Sequence, residues 1–227
     1  MMIYDHIYQT YGLSKTQQEI LNIVGKEKVV LEIGPSTGYM TKLFLENGCI
    51  LDIVEKDKKV FPKLPKGIRK MINLSIEDVK ILSLLFGDYD FIILADVLEH
   101  LIDPENTLKD LKKISSSKTK LIISLPNVAN WVMRKQLFFK GDFEYQESGL
   151  LDTTHLHFYT VDTLPKLLAK CGWRVKQIIG TLTRLPFEES INKIPVVNLL
   201  FKKIIYKKLA EKYKNLSYYH FITIASK

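Results

Sequence analysis

A ten-residue segment constrains the fold of this chain more than any other: residues 29–38 read VVLEIGPSTG. The apolar residues predict a buried strand, and the two glycines predict a tight turn that opens a helix. A second apolar run, Ile50 to Val54, ends directly before Glu55. This order predicts a nucleoside site, because backbone N–H groups at the turn face one part of the ligand and a carboxylate accepts both ribose hydroxyls.

The spacing of the glycines indicates which nucleoside. A dinucleotide site is typical of G-x-G-x-x-G, in which the pyrophosphate lies against bare backbone. Here the segment is Gly34-Pro-Ser-Thr-Gly38, and Glu32 lies two positions before the first glycine. A carboxylate at that place repels a pyrophosphate and suits a cationic ligand with an amino group, such as S-adenosylmethionine. The same features disfavour a nicotinamide-dependent oxidoreductase.

These residues resemble the first motif of the class I S-adenosylmethionine-dependent methyltransferases, a strand with an acidic residue followed by Gly-x-Gly-x-Gly. Glu32, Gly34 and Gly38 match it, and Ser36 stands at the central glycine. The resemblance implies S-adenosylmethionine or S-adenosylhomocysteine as the cofactor, bound by these four residues. It also implies that Glu55 holds the ribose, and that Glu32 sets the turn or reaches the methionine amino group through water.

Composition predicts one domain over residues 1–227 of a cytoplasmic protein. No apolar run approaches the length of a membrane-spanning helix, and the N-terminal residues lack the pattern of a secretory signal. Cys49 and Cys171 lack a metal-type spacing and are expected to be reduced core residues. The net charge of +8 comes largely from scattered lysines. Such a distribution favours solubility over a specific nucleic-acid partner.

Apolar runs alternate with helical patterns, which predicts an α/β fold: a doubly wound, Rossmann-like sheet with helices on both faces. The resemblance spans residues 10–225 and implies the methyltransferase sheet of seven strands with the last one antiparallel. The predicted strands are 28–33, 50–54, 68–72, 91–95, 120–124, 173–180 and 218–225. The predicted helices are 14–25, 38–47, 77–85, 104–115, 128–139 and 160–171, the first capped by Ser14 and the fourth by Asp103.

After the third strand, the segment Ser75-Ile76-Glu77 stands where the family binds adenine. The resemblance implies that Ile76 packs on the adenine ring and that Glu77 contacts its amino group. The alternative is that these three residues form a helix cap.

The segment after the fourth strand, Ala95 to Leu101 with Asp103-Pro104 behind it, carries Asp96, Glu99 and His100. It resembles the Glu-x-x-Glu-His-x-x-Asp-Pro pattern of ubiquinone-type and related small-molecule O-methyltransferases. In one reading, these side chains shape the floor of the cofactor site, with Asp96 as a contact. In another they bind a divalent cation. We favour a third, a structural Glu99–His100 hydrogen-bond pair, and no metal is required by the chemistry.

A third block, Gly149 to Thr160, contains Asp152, His155 and His157. It resembles methyltransferases linked to glycan, polyketide or antibiotic tailoring. In an extended segment the two histidines point the same way, and an imidazole can take a proton from a hydroxyl near pH 7. We predict His155 as the general base, oriented by Asp152 or by a backbone carbonyl. His157 is the second candidate, and a structural role for either histidine is the alternative.

A Lys-rich helical pattern interrupts the last strands as an insertion, 184–216. Within it, 193–214 reads as a basic amphipathic helix, which could touch a membrane surface weakly, pack over the sheet edge or form a homodimer contact. Together the motifs predict an S-adenosylmethionine-dependent methyltransferase that acts on an oxygen of a small-molecule or glycan acceptor. The alternatives are an N- or C-methyltransferase of the same fold and a catalytically silent binding subunit.

Overall fold

The fold is built on a single seven-stranded sheet, as seen in a computed structural model that describes residues 12–85, 87–182, 208 and 210–227. The strands follow the order β3-β2-β1-β4-β5-β7-β6. β7 is antiparallel to both of its neighbours, and the pairs among β1 to β5 are parallel. The predicted Rossmann-like methyltransferase sheet is therefore confirmed. The strands are β1 Val29–Ile33, β2 Ile50–Val54, β3 Lys70–Ile72, β4 Phe91–Ala95, β5 Lys120–Pro126, β6 Arg174–Leu182 and β7 Tyr218–Ser226.

One helix precedes the first strand, the other described helices lie between strands, and three of the helices begin at a side-chain cap, Ser14, Asp103 or Asn130. Ser14 and Gln17 form a reciprocal capping box at the start of the first helix, as Ser14 was predicted to do. Asp103 accepts a hydrogen bond from the backbone of Asn106 and caps the fourth. The helices are α1 Lys15–Val24, α2 Tyr39–Glu46, α3 Ile81–Leu84, α4 Pro104–Lys113, α5 Trp131–Lys140, α6 Thr163–Lys170 and α7 Lys214–Ser217, with 3-10 turns at Lys58–Lys63 and Leu98–His100.

Both faces of the sheet are buried, as the apolar strands predict. Alternate residues of one strand enter different clusters: Ile92 and Leu94 pack on one face of β4 and Ile93 on the other. Helices α3, α4 and α6 cover the first face, and α1 and α2 cover the second. The two cysteines, Cys49 and Cys171, are free thiols in these cores, as expected.

Several element boundaries differ from the predictions. The predicted helix 77–85 is only Ile81–Leu84, because the Ser75 and Asp78 side chains accept backbone hydrogen bonds and hold residues 75–80 in turns. The fifth strand runs on to Pro126 instead of ending at residue 124. Its last residues pair with β7, where Pro126 lies opposite His220 and needs no N–H of its own at that end.

The helices beyond β5 also begin later than predicted. The helix expected at 128–139 begins at Trp131, because the side-chain oxygen Oδ1 of Asn130 accepts the backbone N–H groups of Val132 and Met133. The helix expected at 160–171 begins at Thr163. Most of the insertion 184–216, and most of the amphipathic pattern 193–214, lies outside the described residues. Among the described residues, no helix has both the length and the apolar composition needed to cross a bilayer.

Candidate active site

The turn after β1 lies at the point where the strand order reverses, between β1 and β4. Parallel α/β sheets bind ligands in the crevice at this place. Gly34 and Gly38 have φ angles of 66° and 80°, and a side chain at either one would collide with Val97 or Leu64. Ser36, at the family's central glycine, has a φ of 52°. The turn therefore keeps the glycine-type backbone although one glycine is missing.

Ser36→Gly is expected to stabilise the protein by about 1 kcal/mol, because a left-handed backbone costs an L-residue roughly that much more than glycine. Chemical unfolding of both proteins measures the difference. Ser148→Gly is the matched control, since Ser148 does not have a positive φ and glycine there should be neutral or destabilising. A loss of stability in Ser36→Gly would show that the serine side chain, and not the backbone, determines this turn.

Glu32 lies at the base of the turn and is 4% exposed. The Thr41 hydroxyl donates a 2.7 Å hydrogen bond to its carboxylate. Burial raises the pKa of Glu32 to about 7, and the Thr41 hydrogen bond opposes that shift. When a cationic group binds beside this buried carboxyl, it stabilises the ionised form and lowers the pKa.

A cavity of about 330 Å³ opens beside this turn. Four chain segments that are distant in sequence contribute polar side chains to its wall. They are Glu32 and Ser36 beside Gly34 after β1, then Asp96, Glu99 and His100 after β4, and finally His155 and His220. The structure thus brings most of the predicted polar residues to one cavity.

Four of the predicted cofactor residues do not lie on the described wall of this cavity: Gly38, Glu55, Ile76 and Glu77. Glu55 is buried at the end of β2, and its carboxylate accepts the backbone N–H of Asp57 at 2.8 Å. Its role in ribose binding stays a prediction.

The two residues predicted to contact adenine have structural partners. Ile76 is 7% exposed and packs in the core with Ile72 and Ile81. The Glu77 carboxylate accepts the backbone N–H of Asp103 at 2.7 Å, so it holds the start of α4. These contacts agree with the capping alternative, and the adenine contacts stay predictions.

Asp96 pairs with a histidine that the sequence patterns did not single out. Its Oδ1 lies 2.9 Å from Nε2 of His220, and the Ser124 hydroxyl donates to the same oxygen at 3.1 Å. The Asp96 side chain is 51% exposed, and its contacts with His220 and Ser124 hold the pKa of Asp96 below its usual value. Asp96 also has a φ of 56°, a strained value for a non-glycine residue at a site.

His220 reaches the cavity only because β7 is inserted beside β5, opposite Pro126. Its Nε2 faces Asp96, and its Nδ1 is buried without a hydrogen-bond partner among the described residues. With the proton on Nε2, Nδ1 carries a lone pair that can accept a hydrogen bond. A histidine in the run YYHFITIAS was the available signal, but nothing in that run indicates which face it occupies.

Glu99 is 1% exposed, and neither carboxylate oxygen has a hydrogen-bond partner in the described structure. Burial, reinforced by nearby Asp96, raises the pKa of Glu99 well above its usual value. The favoured Glu99–His100 hydrogen-bond pair is wrong, because the His100 Nδ1 lies 3.0 Å from the Thr154 carbonyl oxygen. Glu99 is thus a buried acid beside the cavity whose carboxylate oxygens bond no described residue.

The three side chains whose potential ligand atoms lie within 4.8 Å of one another are Glu99, His100 and His155. The alternative cation set was Asp96, Glu99 and His100, so the structure replaces Asp96, which faces His220, by His155. Carboxylate and imidazole lone pairs that converge in this way can share a proton or hold a cation.

His155, the predicted base, is 6% exposed and lies on the cavity wall. Its Nδ1 lies 3.2 Å from the Leu150 carbonyl oxygen, which places the proton on Nδ1 and leaves the Nε2 lone pair available. Burial and the adjacent His100 ring lower the pKa of His155, so the ring is neutral at pH 7. Of the two orienting groups considered, the backbone carbonyl is the one that bonds the ring. The Asp152 carboxylate accepts from Thr154.

His157, the second candidate base, does not lie on the described wall of the cavity. Its backbone N–H, like that of Leu156, donates to the Glu99 carbonyl oxygen. These two bonds attach the third block to the segment after β4 and so bring His155 beside Glu99. The contribution of His157 seen here is this backbone contact, and its ring lies beside Tyr159.

Comparison with known proteins agrees with this geometry. A family model described as a methyltransferase domain matches residues 4–178, more than three quarters of the chain. The chain belongs to this family. It is a class I S-adenosylmethionine-dependent methyltransferase by sequence and by fold, which confirms the predicted fold and cofactor class.

Solved methyltransferase structures share the fold at low sequence identity. An S-adenosylmethionine-dependent methyltransferase from Archaeoglobus fulgidus has a TM-score of 0.67 at 16% identity, with 100% of both chains covered. A possible histamine N-methyltransferase from Thermotoga maritima has a TM-score of 0.64 at 15% identity, covering 99% of this chain and 94% of that one. At these identities the likeness shows the fold and leaves the acceptor open.

Two further similarities are weaker: one is to a structure with a lower TM-score, and the other is to a protein that matches over a short segment only. The 1,6-didemethyltoxoflavin-N1-methyltransferase of Burkholderia thailandensis, solved with its substrate and S-adenosylhomocysteine, has a TM-score of 0.53 at 14% identity, covering 94% of this chain and 77% of that one. Ribosomal RNA small subunit methyltransferase A of Bartonella bacilliformis is 38% identical over 68 residues. That match covers 29% of this methyltransferase and 24% of the relative.

Proposed function

We propose that this methyltransferase transfers a methyl group from S-adenosylmethionine to an oxygen of a small-molecule or glycan acceptor. One observation carries the proposal: His155, whose Nδ1 bonds the Leu150 carbonyl and leaves the Nε2 lone pair available, lies on the wall of the cavity that the cofactor turn also lines. A hydroxyl that is to be methylated must lose its proton, and this lone pair can receive it.

The turn after β1 fits the cofactor in two respects. Its left-handed backbone leaves no side chain at Gly34 to cover the N–H groups. Glu32 lies on the cavity wall and suits an ammonium group. When bound, S-adenosylmethionine supplies an electrophilic methyl group and a neutral thioether leaving group.

The chain's own residues then have separate tasks. His155 accepts the hydroxyl proton at Nε2 as the oxygen forms its bond to the methyl carbon, and the Leu150 carbonyl stabilises the resulting imidazolium through Nδ1–H. His220, held by Asp96, accepts a hydrogen bond from a second donor group of the acceptor. The walls exclude water and fix the reacting atoms, and positioning of this kind accounts for much of the acceleration.

The same arrangement bears on the alternatives. A silent binding subunit has no need for polar side chains from three segments to converge, whereas Glu32, Asp96 and His155 line one cavity from three different segments. An N- or C-methyltransferase of this fold would use the same proton acceptors on a neutral amine or an enol. The mass and the NMR spectrum of the methylated product separate these cases from O-methylation.

Calorimetric titration with S-adenosylhomocysteine, with NADH as the control ligand, tests the cofactor assignment directly. We expect binding of the former alone, followed by methyl transfer in a screen of sugars, phenols and other hydroxylated compounds. Binding of neither ligand, or a preference for NADH, would contradict the proposal. Methylation of amines alone in the screen would retain the enzyme class and refute the oxygen acceptor.

Glu55→Gln is expected to weaken S-adenosylhomocysteine binding by about tenfold, because an amide offers one acceptor oxygen where the carboxylate offers two to the ribose hydroxyls. The same titration measures it. Glu77→Gln is the matched control, since its carboxylate binds the Asp103 backbone. Equal affinities of Glu55→Gln and the parent protein would remove Glu55 from the cofactor site, and a loss in Glu77→Gln would support its predicted adenine contact.

Three further expectations stay predictions: a cytoplasmic location, the lack of a specific nucleic-acid partner and a homodimer. The local similarity to a ribosomal RNA methyltransferase covers too little of either chain to change the second.

A further inference from the structure

Helix α5 is an apolar helix with little of its surface buried. Asn130 caps its N-terminus, and Gly141 closes its C-terminus in the left-handed conformation. Within these ten residues only Met133 is buried. The large apolar side chains that remain exposed are Val132 (45%), Leu137 (45%), Phe138 (83%) and Phe139 (70%). We call these four side chains the α5 surface.

Such exposure is unusual for a helix with well-formed caps, because helical stability in proteins comes mainly from packing of an apolar face. At 3.6 residues per turn, Phe138 and Phe139 lie on the side of α5 away from Met133. Their rings contact each other edge to face, with centroids 5.0 Å apart, and have few other neighbours at these exposures. The exposed Phe138–Phe139 pair is therefore the centre of the α5 surface, and exposed large apolar side chains in contact with each other indicate an interaction site.

The charges on the same helix indicate the kind of partner. Its sequence, WVMRKQLFFK, contains three exposed basic residues, Arg134, Lys135 and Lys140, and no acidic one. Aromatic side chains combined with Lys and Arg are typical of helices that lie in the interface of an anionic bilayer. Acidic residues follow only in the loop behind the helix, at Asp142, Glu144 and Glu147. The chain as a whole carries a net charge of +8.

Aromatic side chains also connect the loop behind α5 with His155, which lies on the cavity wall. In the loop that follows α5, Phe143 and Tyr145 are exposed, and the Phe143 ring lies 5.6 Å from that of Phe158. The Phe158 ring in turn lies 6.3 Å from the His155 ring. Aromatic side chains therefore lead from the exposed loop to the residue proposed as the base.

We infer that the α5 surface docks the methyltransferase on an anionic membrane and thereby brings a membrane-embedded, amphiphilic acceptor to the cavity. Phe138 and Phe139 enter the interface, and Arg134, Lys135 and Lys140 pair with lipid phosphates. The membrane docking is inferred from the residues of α5 alone. The delivery of an acceptor rests on the proposed function. This placement differs from the weak membrane contact expected at 193–214, most of which lies outside the described residues.

The test is sedimentation of the full chain with vesicles of equal parts phosphatidylcholine and phosphatidylglycerol. Phe138→Ser/Phe139→Ser is expected to lower the partition coefficient at least tenfold, because burial of one Phe side chain is worth about a factor of ten or more. Val79→Ser/Ile102→Ser is the matched control, since both side chains are highly exposed elsewhere on the molecule. We also expect weaker binding to pure phosphatidylcholine and at high salt.

The affinity of each variant for S-adenosylhomocysteine, measured without vesicles, shows whether the variant is folded. It also tests the proposed function separately, so that a failure of membrane docking can be distinguished from a failure of cofactor binding. No vesicle binding by the parent protein would overturn the inference. Equal loss in the two double variants would also overturn it. Sedimentation velocity completes the test. If the parent protein does not bind vesicles but forms a dimer, and the Phe138→Ser/Phe139→Ser change dissociates that dimer, the α5 surface binds a second copy of the chain instead.

Discussion

His155→Gln is expected to lower the turnover number for methyl transfer by about 10²–10⁴-fold and to leave the affinity for S-adenosylhomocysteine nearly unchanged. The imidazole Nε2 is the proposed proton acceptor, and the amide of glutamine is far too weak a base to replace it. The cofactor turn lies on a different segment, after β1, so its geometry should survive. Steady-state kinetics with an acceptor from the screen, together with calorimetry, measure both quantities.

The pH dependence gives a second readout of the same group. Burial and His100 lower the pKa of His155, so its base form is present at neutral pH and is lost only below the ordinary histidine pKa of about 6.5. We expect kcat to fall on that acidic side, and the decline should be absent from the residual activity of His155→Gln. An unchanged turnover number in His155→Gln would refute its role as the base.

Two other histidines serve as comparisons. His157→Gln should change turnover little, because its ring does not lie on the described cavity wall. His220→Gln should raise KM for the acceptor more than it lowers kcat, since its Nδ1 is proposed to bind a donor group of that molecule. If His220→Gln loses most of kcat while His155→Gln is near normal, the proton acceptor is the Asp96–His220 pair and not His155.

Glu32→Gln is expected to stabilise the protein at alkaline pH, with the gain reaching about 3 kcal/mol relative to pH 4. The folded-state pKa of Glu32 is about 7, whereas its ordinary value is 4.5. The folded state therefore binds the proton more tightly than the unfolded state, and stability falls as the pH rises from 4.5 to 7. Each unit of pKa difference corresponds to about 1.4 kcal/mol. Glutamine carries no charge to desolvate and can still accept the Thr41 hydrogen bond.

Urea unfolding of both proteins at pH 4 and pH 8 measures this effect, since other titrating groups are common to both and cancel in the difference. Glu147→Gln is the control, because Glu147 is exposed and its neutralisation should give no such pH dependence. Thr41→Val should increase the effect by removing the one hydrogen bond that favours the carboxylate. The same difference at both pH values would show that Glu32 does not titrate near 7.

The affinity for the cofactor should change with pH in the direction opposite to the change in stability. An ammonium group beside Glu32 favours the ionised carboxylate, so the affinity of the parent protein for S-adenosylhomocysteine should fall as the pH drops below 7. Glu32→Gln should bind more weakly at pH 8 and lose this pH dependence. If Glu32→Gln is more stable and also binds the cofactor more weakly, the Glu32 carboxyl contributes to ligand binding and lowers the stability of the fold. Such a trade-off between stability and function is common at functional sites.

The local pattern of the sequence was sufficient for the sheet and the cofactor turn. Periodicity located every strand to within a few residues, because each strand is a short apolar run between turn signals. It was less accurate at α3 and α5, where the Ser75, Asp78 and Asn130 side chains bind backbone groups and delay the helix. Such competition depends on side-chain geometry, which periodicity does not contain.

The candidate site was predicted only in part. Glu32, Asp96 and His155 stand in recognisable motifs, and all three lie on the cavity wall. His220 was missed, since no motif surrounds it. The partners were also misjudged: Asp96 faces His220, and Glu99 lies with His155 and does not bond His100.

By itself, the sequence of this methyltransferase determined the succession of strands and helices along the chain, the turn at Gly34 and the kinds of polar residue after each strand, because these follow from spacing within short segments. Only the tertiary structure decided which of those residues meet. Asp96 and His220 are more than one hundred residues apart, and their contact exists because β7 inserts antiparallel beside β5. Glu99 and His155 meet because two backbone N–H groups bind the Glu99 carbonyl oxygen. Contacts of this length depend on how whole elements pack, which no local pattern encodes.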